Sequence, residues 1–183
     1  MLAFLAVRSS NGGWLFTFML RDKNLIPLSH QHQHALALCV RLDRAAQAGD
    51  LNLEAWQSEI GQIYEQELSI HFRAEEKVLF PPAAKFPELT SLVEDLLREH
   101  GALRERFELA KRRKLDSEGL SEFGMALAVH IRKEERQLFE GMQRVLTADQ
   151  LQRIGAKLQH ELEQSPTACV VRNDATRLRP RQS

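Results

Sequence analysis

The chain has 183 residues, a length typical of one domain, and its 25 Lys and Arg residues balance its 25 Asp and Glu residues. A net charge of zero argues against a nucleic-acid or anionic-membrane partner, since both attract a basic excess. The two cysteines, Cys39 and Cys169, are too few and too far apart for a disulfide framework or a zinc finger. This cysteine usage favours a reducing cytoplasm.

The two ends of the chain differ from its middle. Residues 1–23 are interpreted as an N-terminal extension, whose two short apolar runs are separated by polar residues 8–13 and cannot form a span of about 20 apolar residues. Arg8 lies between the runs rather than ahead of them, which is atypical of a secretory signal, and we expect translation to start at Met19. Residues 164–183 are polar, rich in arginine and without apolar period, which predicts a disordered basic tail.

Residues 24–163 carry apolar side chains at spacings of three and four, with few Gly and Pro, which predicts an all-α domain. Short loops between long helices predict an up-down-up-down four-helix bundle. A capping box at the start of the last segment predicts a short fifth helix at the C-terminal end of the domain. The expected helices run from about Ser29 to Ala48, Leu53 to Phe80, Pro87 to the basic residues 111–114, Ser117 or Ser121 to Val145, and Thr147 to Glu163.

Two segments, HFRAEEKVLF from His71 and HIRKEERQLF from His130, are identical at six of ten positions. A His and a Glu four residues apart lie on one helix face, so the side chains of each pair can converge. Both pairs share the phase of the apolar core residues. Since a buried carboxylate is costly unless it is paired or bound to a metal, the repeat indicates a site rather than a surface contact.

His32 and His100 add a histidine to the first and third helices, each in the phase of the apolar core. The core stripe of the third helix is predicted to comprise Val93, Leu96, Leu97, Leu103 and Phe107. In an antiparallel hairpin, residues equally far from the turn lie opposite each other, and the midpoints between successive histidines fall inside the three expected loops. The four histidines and the two glutamates of the repeat therefore share one layer of the bundle, which predicts a metal site. The predicted ligands are His32, His71, Glu75, His100, His130 and Glu134.

Six ligands, two of them carboxylates able to bridge, exceed what one tetrahedral zinc ion uses. Imidazole and carboxylate together suit two iron ions, with manganese or zinc as substitutes. A ferritin-like site is the alternative, but its Glu-x-x-His motif fails because Leu68 and Leu127 stand three residues before His71 and His130.

Over residues 24–163 the chain resembles the hemerythrin-like (HHE cation-binding) domains. The segment LSHQHQHAL from Leu28 resembles their first-helix motif, the two His-x-x-x-Glu-Glu-x-x-Leu-Phe segments resemble the second and fourth, and Arg98-Glu99-His100 resembles the third. The resemblance implies a four-helix bundle with an oxo- or hydroxo-bridged diiron centre that meets dioxygen or related small molecules. It also implies that the six predicted residues are the ligands, with Glu75 and Glu134 as bridging carboxylates.

The chain departs from the oxygen-carrying members of that family at two positions. Arg104 stands four residues after His100, where the carriers have a further histidine, and the fourth-helix carboxylate is Glu134 rather than an Asp at the position of Glu135. We therefore expect a cytoplasmic protein that binds or senses dioxygen, nitric oxide or iron rather than an oxygen store. An oxidoreductase acting on peroxide or oxygen is the alternative, and a purely structural or interaction bundle is a third hypothesis.

Other polar residues near the motif have less specific interpretations. His30 and His34 point away from the stripe of His32 and are expected to be exposed, the alternative being that one supplies a further ligand. Tyr64 is expected to be a core tyrosine, with an outer contact or weak ligation as the alternative. Cys39 is expected to pack as a small apolar residue, and His160 to be exposed.

Overall fold

A computed structural model describes residues 3–8, 14–163 and 176. The first two of its elements, β1 (Ala3–Arg8) and β2 (Trp14–Met19), pair as an antiparallel hairpin, with Ala3 opposite Met19 and Arg8 opposite Trp14. The sequence analysis did not predict these strands. Residues 164–183 lie outside the described residues except for Thr176, so the predicted disordered tail stays a prediction.

Five helices follow within the described residues, which confirms the prediction of an all-α domain with a short fifth helix. The first, third and fifth are continuous α-helices, whereas the second and fourth also contain π-helical turns. They are α1 (Ile26–Gln47), α2 (residues 53–83), α3 (Pro87–Lys111), α4 (residues 117–145) and α5 (Ala148–Leu162).

Contacts between consecutive helices place their residues in opposite order. On α1 and α2, His32 lies against His71 while Arg41 pairs with Glu59. The same reversal holds for α2 with α3 and for α3 with α4, so neighbouring helices run antiparallel, as the short loops predicted.

The helix ends follow the local sequence closely. The side chain of Asn52 caps α2, that of Asp116 caps α4, and Thr147 with Gln150 forms the predicted capping box of α5. Gly49, with a φ of 68°, ends the first helix in a left-handed conformation that favours glycine.

Two predicted boundaries were wrong. Helix α1 begins at Ile26 rather than Ser29, because Pro27 fits the first turn of a helix, where its missing N–H costs nothing. Helix α2 does not stop before Pro81 and Pro82 but continues to Ala83. The two prolines follow a π-helical turn and lie in the first turn of the last α-helical segment, where proline is tolerated.

Helices α2 and α4 contain three π-helical turns that the sequence analysis did not predict. Helix α2 consists of Leu53–Ile63, the π-helical Tyr64–Leu68, Ser69–Ala74, the π-helical Glu75–Leu79 and Phe80–Ala83. Helix α4 consists of Ser117–Lys133, the π-helical Glu134–Phe139 and Glu140–Val145. Glu75 and Glu134 each begin a π-helical turn, an irregularity frequent at functional sites.

The apolar core is divided into two clusters along the bundle. One cluster includes Leu42, Trp56 and Phe123, and the other includes Leu28, Phe80 and Met142. The predicted layer of histidines and glutamates lies between them. Leu97, which was assigned to the core from its spacing, is 44% exposed, so that assignment was wrong.

Candidate metal centre

The structure brings all six predicted site residues together between the two core clusters. Each is at most 1% exposed, although all six are ionisable. They come from four helices: His32 from α1, His71 and Glu75 from α2, His100 from α3, and His130 and Glu134 from α4.

The histidines form two pairs, and every Nε2 atom faces the centre. In the first pair, the Nε2 atoms of His32 and His71 lie 2.9 Å apart. In the second pair, the His100 and His130 rings meet edge to face, with centroids 4.8 Å apart. We call the first the His32 pair and the second the His100 pair.

Each glutamate presents one oxygen to each histidine pair. Glu75 Oε1 lies 3.2 Å from Nε2 of His71, and its Oε2 lies 3.4 Å from Nε2 of His100. Glu134 Oε2 lies 3.2 Å from Nε2 of His32, and its Oε1 lies 3.3 Å from Nε2 of His130. Both carboxylates therefore span the gap between the pairs, which is the position that a bridging ligand takes.

Potential ligand atoms converge around two points. One group comprises atoms of His32, His71, Glu75 and Glu134, and the other comprises atoms of His100, His130 and Glu134; within each group, all atoms lie within 4.8 Å of one another. Glu134 belongs to both groups. This arrangement can hold two cations that share a carboxylate.

Several central atoms lack a hydrogen-bond partner among the described residues. They are both carboxylate oxygens of Glu75, both of Glu134, and Nε2 of His100 and of His130. An unpaired polar atom costs free energy when it is buried, and an ionised one costs most. Because these atoms converge on the same space and are ligands for transition metals, the residues present fit a bound metal.

Electrostatic attraction across the centre opposes the effect of burial on the pKa values. Burial lowers the pKa of His32, but the carboxylates of Glu134 and Glu135 outweigh it and raise the pKa to about 10. Burial also lowers the pKa of His100, and Glu134, Glu75 and Glu76 raise it to about 11. Burial raises the pKa of the Glu134 carboxyl, but His130 and the other facing imidazoles hold it well below its usual range.

The Nδ1 atoms of the four histidines face outward, and each donates a hydrogen bond to a side chain on another helix. His32 donates to Glu135 at 2.7 Å, His100 to Glu76 at 2.8 Å, and His130 to Glu99 at 2.8 Å. His71 donates instead to the amide oxygen of Gln31, at 2.9 Å. These bonds keep a proton on Nδ1 at the outer side of each ring, so that Nε2 is the atom that binds a metal once it has lost its own proton.

The four acceptors form a closed circuit through the bundle. Helix α1 donates to α4, α4 to α3, α3 to α2, and α2 back to α1, through one histidine each. Every acceptor is adjacent in the sequence to a predicted ligand of its own helix. A helix that supplies a ligand thus also orients the histidine of a neighbouring helix. We call the four acceptors the outer ring: Gln31, Glu76, Glu99 and Glu135.

A cation binds each carboxylate of the outer ring. Arg104 lies 2.8 Å from Glu76, Arg21 lies 2.7 Å from Glu135, and Lys133 pairs with Glu99. Arg104, which replaces the histidine expected in oxygen carriers, therefore binds the outer ring rather than the centre. Sequence reasoning missed the outer ring, although the position of its members beside the ligands was a visible signal.

Aromatic rings enclose the centre. Phe72 stacks on His100 with centroids 4.0 Å apart, Phe80 stacks on its ring at 5.3 Å, and Phe139 stacks on His32 at 5.5 Å. These contacts hold the imidazole rings in place and surround the central atoms with apolar side chains.

The other polar residues considered in the sequence analysis lie away from the central atoms. His30, His34 and His160 are exposed, as expected, and His34 pairs with Glu67 on the surface. Tyr64 is half-buried and stacks on Phe107 with centroids 4.4 Å apart. Cys39 is buried in the apolar core, which confirms its expected packing; Cys169 lies outside the described residues.

None of the described helices is long and apolar enough to cross a membrane.

Comparison with known families agrees with this geometry. The family model described as the hemerythrin HHE cation binding domain matches residues 27–141, which include every residue of the centre and of the outer ring. No curated protein matched the chain. No solved structure matched it either.

Proposed function

Since the chain belongs to the hemerythrin HHE cation-binding domain family, we propose that its buried centre holds two iron ions and binds a small diatomic molecule as a sensor. The proposed ligands are His32, His71, Glu75, His100, His130 and Glu134. A pair of iron ions supplies a redox-active centre with affinity for dioxygen and nitric oxide. Manganese or zinc ions fit the same donors.

The pairing of the histidines across two carboxylates supports two ions rather than one. Glu75 and Glu134 each direct one oxygen to the His32 pair and the other to the His100 pair. A single tetrahedral ion uses four donors and would leave buried polar atoms unpaired. Two ions would give every central nitrogen and oxygen a partner.

The burial of the centre carries the proposal that its ligand is diatomic. All six residues are at most 1% exposed, and phenylalanine rings stack against two of the histidines. A large or charged substrate cannot reach these atoms unless the bundle opens. Dioxygen and nitric oxide are small, uncharged and soluble in apolar surroundings, so the closed bundle admits them and excludes polar metabolites.

The experiment is to load the protein with Fe(II) without oxygen and record its optical spectrum before and after adding nitric oxide or air. We expect a new absorption band in the wild type and in His160→Ala, whose exposed histidine lies outside the centre, and a weaker band in His71→Ala, which loses one of the proposed ligands. A spectrum that nitric oxide and air leave unchanged would contradict the proposal. Catalytic consumption of peroxide would favour the oxidoreductase instead.

A further inference from the structure

The outer ring is not uniform, and its exception is Gln31. His32, His100 and His130 donate to carboxylates at 2.7–2.8 Å, whereas His71 donates to the Gln31 amide at 2.9 Å. A hydrogen bond to an ionised acceptor is about twice as strong as one between neutral groups. The His71 imidazole therefore receives the weakest support of the four.

The type of acceptor affects how strongly a histidine binds a metal. A carboxylate that accepts from one ring nitrogen raises the basicity of the other, and the imidazole becomes a better donor. Both members of the His100 pair have carboxylate acceptors, Glu76 and Glu99, whereas only one member of the His32 pair does. The two halves of the centre consequently differ in donor strength.

The cations behind the outer ring reduce this difference without removing it. Arg104 and Lys133 pair with Glu76 and Glu99, but the paired carboxylates remain ionised and still accept from the histidines. Among the described residues, no ionised group takes the place of Gln31 as the acceptor for Nδ1 of His71.

We propose that Gln31 makes the two metal positions unequal, so that the ion between His32 and His71 is held more weakly than the ion between His100 and His130. This inference rests on the proposed dinuclear centre. Outer acceptors of this type change metal affinity by about 10- to 100-fold. The weaker position is then the one that empties first when metal is scarce.

The test is a titration of the metal-free protein with Co(II), which prefers the same donors and absorbs in the visible range, in competition with a chelator of known affinity. We expect two binding steps that differ by at least about 10-fold. In Gln31→Glu, which gives His71 a carboxylate acceptor, the weaker step tightens by about 10-fold and the tighter step stays unchanged. Gln33→Glu adds the same charge on an exposed position of α1 and leaves both steps unchanged.

Glu99→Gln is the reciprocal variant, because it gives His130 an amide acceptor like that of His71. We expect it to weaken the tighter step by about 10-fold and bring the two steps together. Circular dichroism of each metal-free variant verifies that the fold is kept, and either variant alone suffices if the other does not fold.

Each outcome separates the inference from the proposed function. The role of Gln31 is overturned if two Co(II) ions bind in equal steps. It is also overturned if the two steps are unequal but Gln31→Glu leaves both unchanged. Either result leaves the dinuclear centre intact. An effect of Gln33→Glu equal to that of Gln31→Glu also overturns it, since charge alone would then be the cause. Failure to bind Co(II) overturns both proposals.

Discussion

Arg104 and His100 bind the same oxygen of one carboxylate. Arg104 Nη1 lies 2.8 Å from Glu76 Oε1, and Nδ1 of His100 donates to that oxygen at 2.8 Å. The guanidinium also lies over the ring of Phe72, 5.5 Å from its centroid. Arg104 thus holds Glu76 in position, and through it the histidine of α3.

We expect Arg104→Gln to weaken metal binding more than it weakens the fold. Loss of the cation frees Glu76, and metal affinity falls by about 10-fold. The free energy of unfolding falls by only about 0.5–1 kcal/mol, because the pair is partly exposed to solvent. Arg106→Gln is the control, since Arg106 pairs with the exposed Glu122, away from the outer ring. Chelator competition and urea unfolding measure the two effects, and equal metal affinity in both variants would contradict this role.

Glu134→Gln should remove most of the stabilisation that a metal confers. A ligand that binds only the native state adds about 2.7 kcal/mol at 100 times its Kd. Glu134 faces both histidine pairs, so its loss weakens both positions. The measurement is the rise in Tm on adding Zn(II), compared with that of Glu122→Gln, whose carboxylate is exposed on the same helix. A full rise in Glu134→Gln would show that this carboxylate is not a ligand.

Cys39 should resist alkylation in the folded protein. Burial raises the pKa of its thiol to about 12, which outweighs the lowering effect of Arg132. Since the thiolate is the nucleophile, reactivity rises only as pH approaches that value. Iodoacetamide labelling of the Cys169→Ser variant, followed by mass spectrometry, should find Cys39 unmodified from pH 7 to 9 and modified after addition of guanidinium chloride. Labelling of the native protein at pH 8 at the unfolded rate would refute the buried position.

Two glycines in helices should respond to alanine in opposite directions. At Gly155 in α5, a Cβ atom would lie 2.6 Å from Cβ of Asn24, so Gly155→Ala forces a shift and costs about 1–3 kcal/mol. At Gly101 in α3, an added Cβ atom would meet no heavy atom of the described residues within 4 Å other than its chain neighbours and the backbone of its own helix, and Gly101→Ala stabilises the helix by about 0.5–1 kcal/mol. Thermal unfolding measures the change in stability of both variants, and destabilisation by Gly101→Ala would contradict the packing at that position.

Much of the fold followed from local patterns in the sequence. The spacing of apolar residues predicted the helices, and Pro87 and the Thr147 capping box marked ends that the structure retains. The common layer of the six site residues was predicted from the number of residues between each of them and the nearest loop. Antiparallel helices bring residues that are equally far from a turn to the same level. Leu97 shows the limit of predicting burial from apolar spacing, since its side chain is exposed although it directly follows the buried Leu96.

The outer ring depends on the rotation and spacing of whole helices, which apolar periodicity does not resolve. Glu76 was visible as the second acidic residue of the repeat, but its acceptor role requires α3 to place His100 within 2.8 Å. The contact of Arg21 with Glu135 joins residues 114 positions apart, and no local pattern indicates it. The π-helical turns that begin at Glu75 and Glu134 were likewise not indicated by the spacing of apolar residues.

Iron content is the most direct test of the dinuclear centre. Protein loaded with Fe(II) without oxygen and freed of excess metal should contain two iron ions per chain by elemental analysis, and His71→Ala and Glu134→Gln should each contain fewer. His160→Ala should match the wild type. One iron ion per chain in the wild type, or two in the Glu134→Gln variant, would contradict the shared role of the two carboxylates between the histidine pairs.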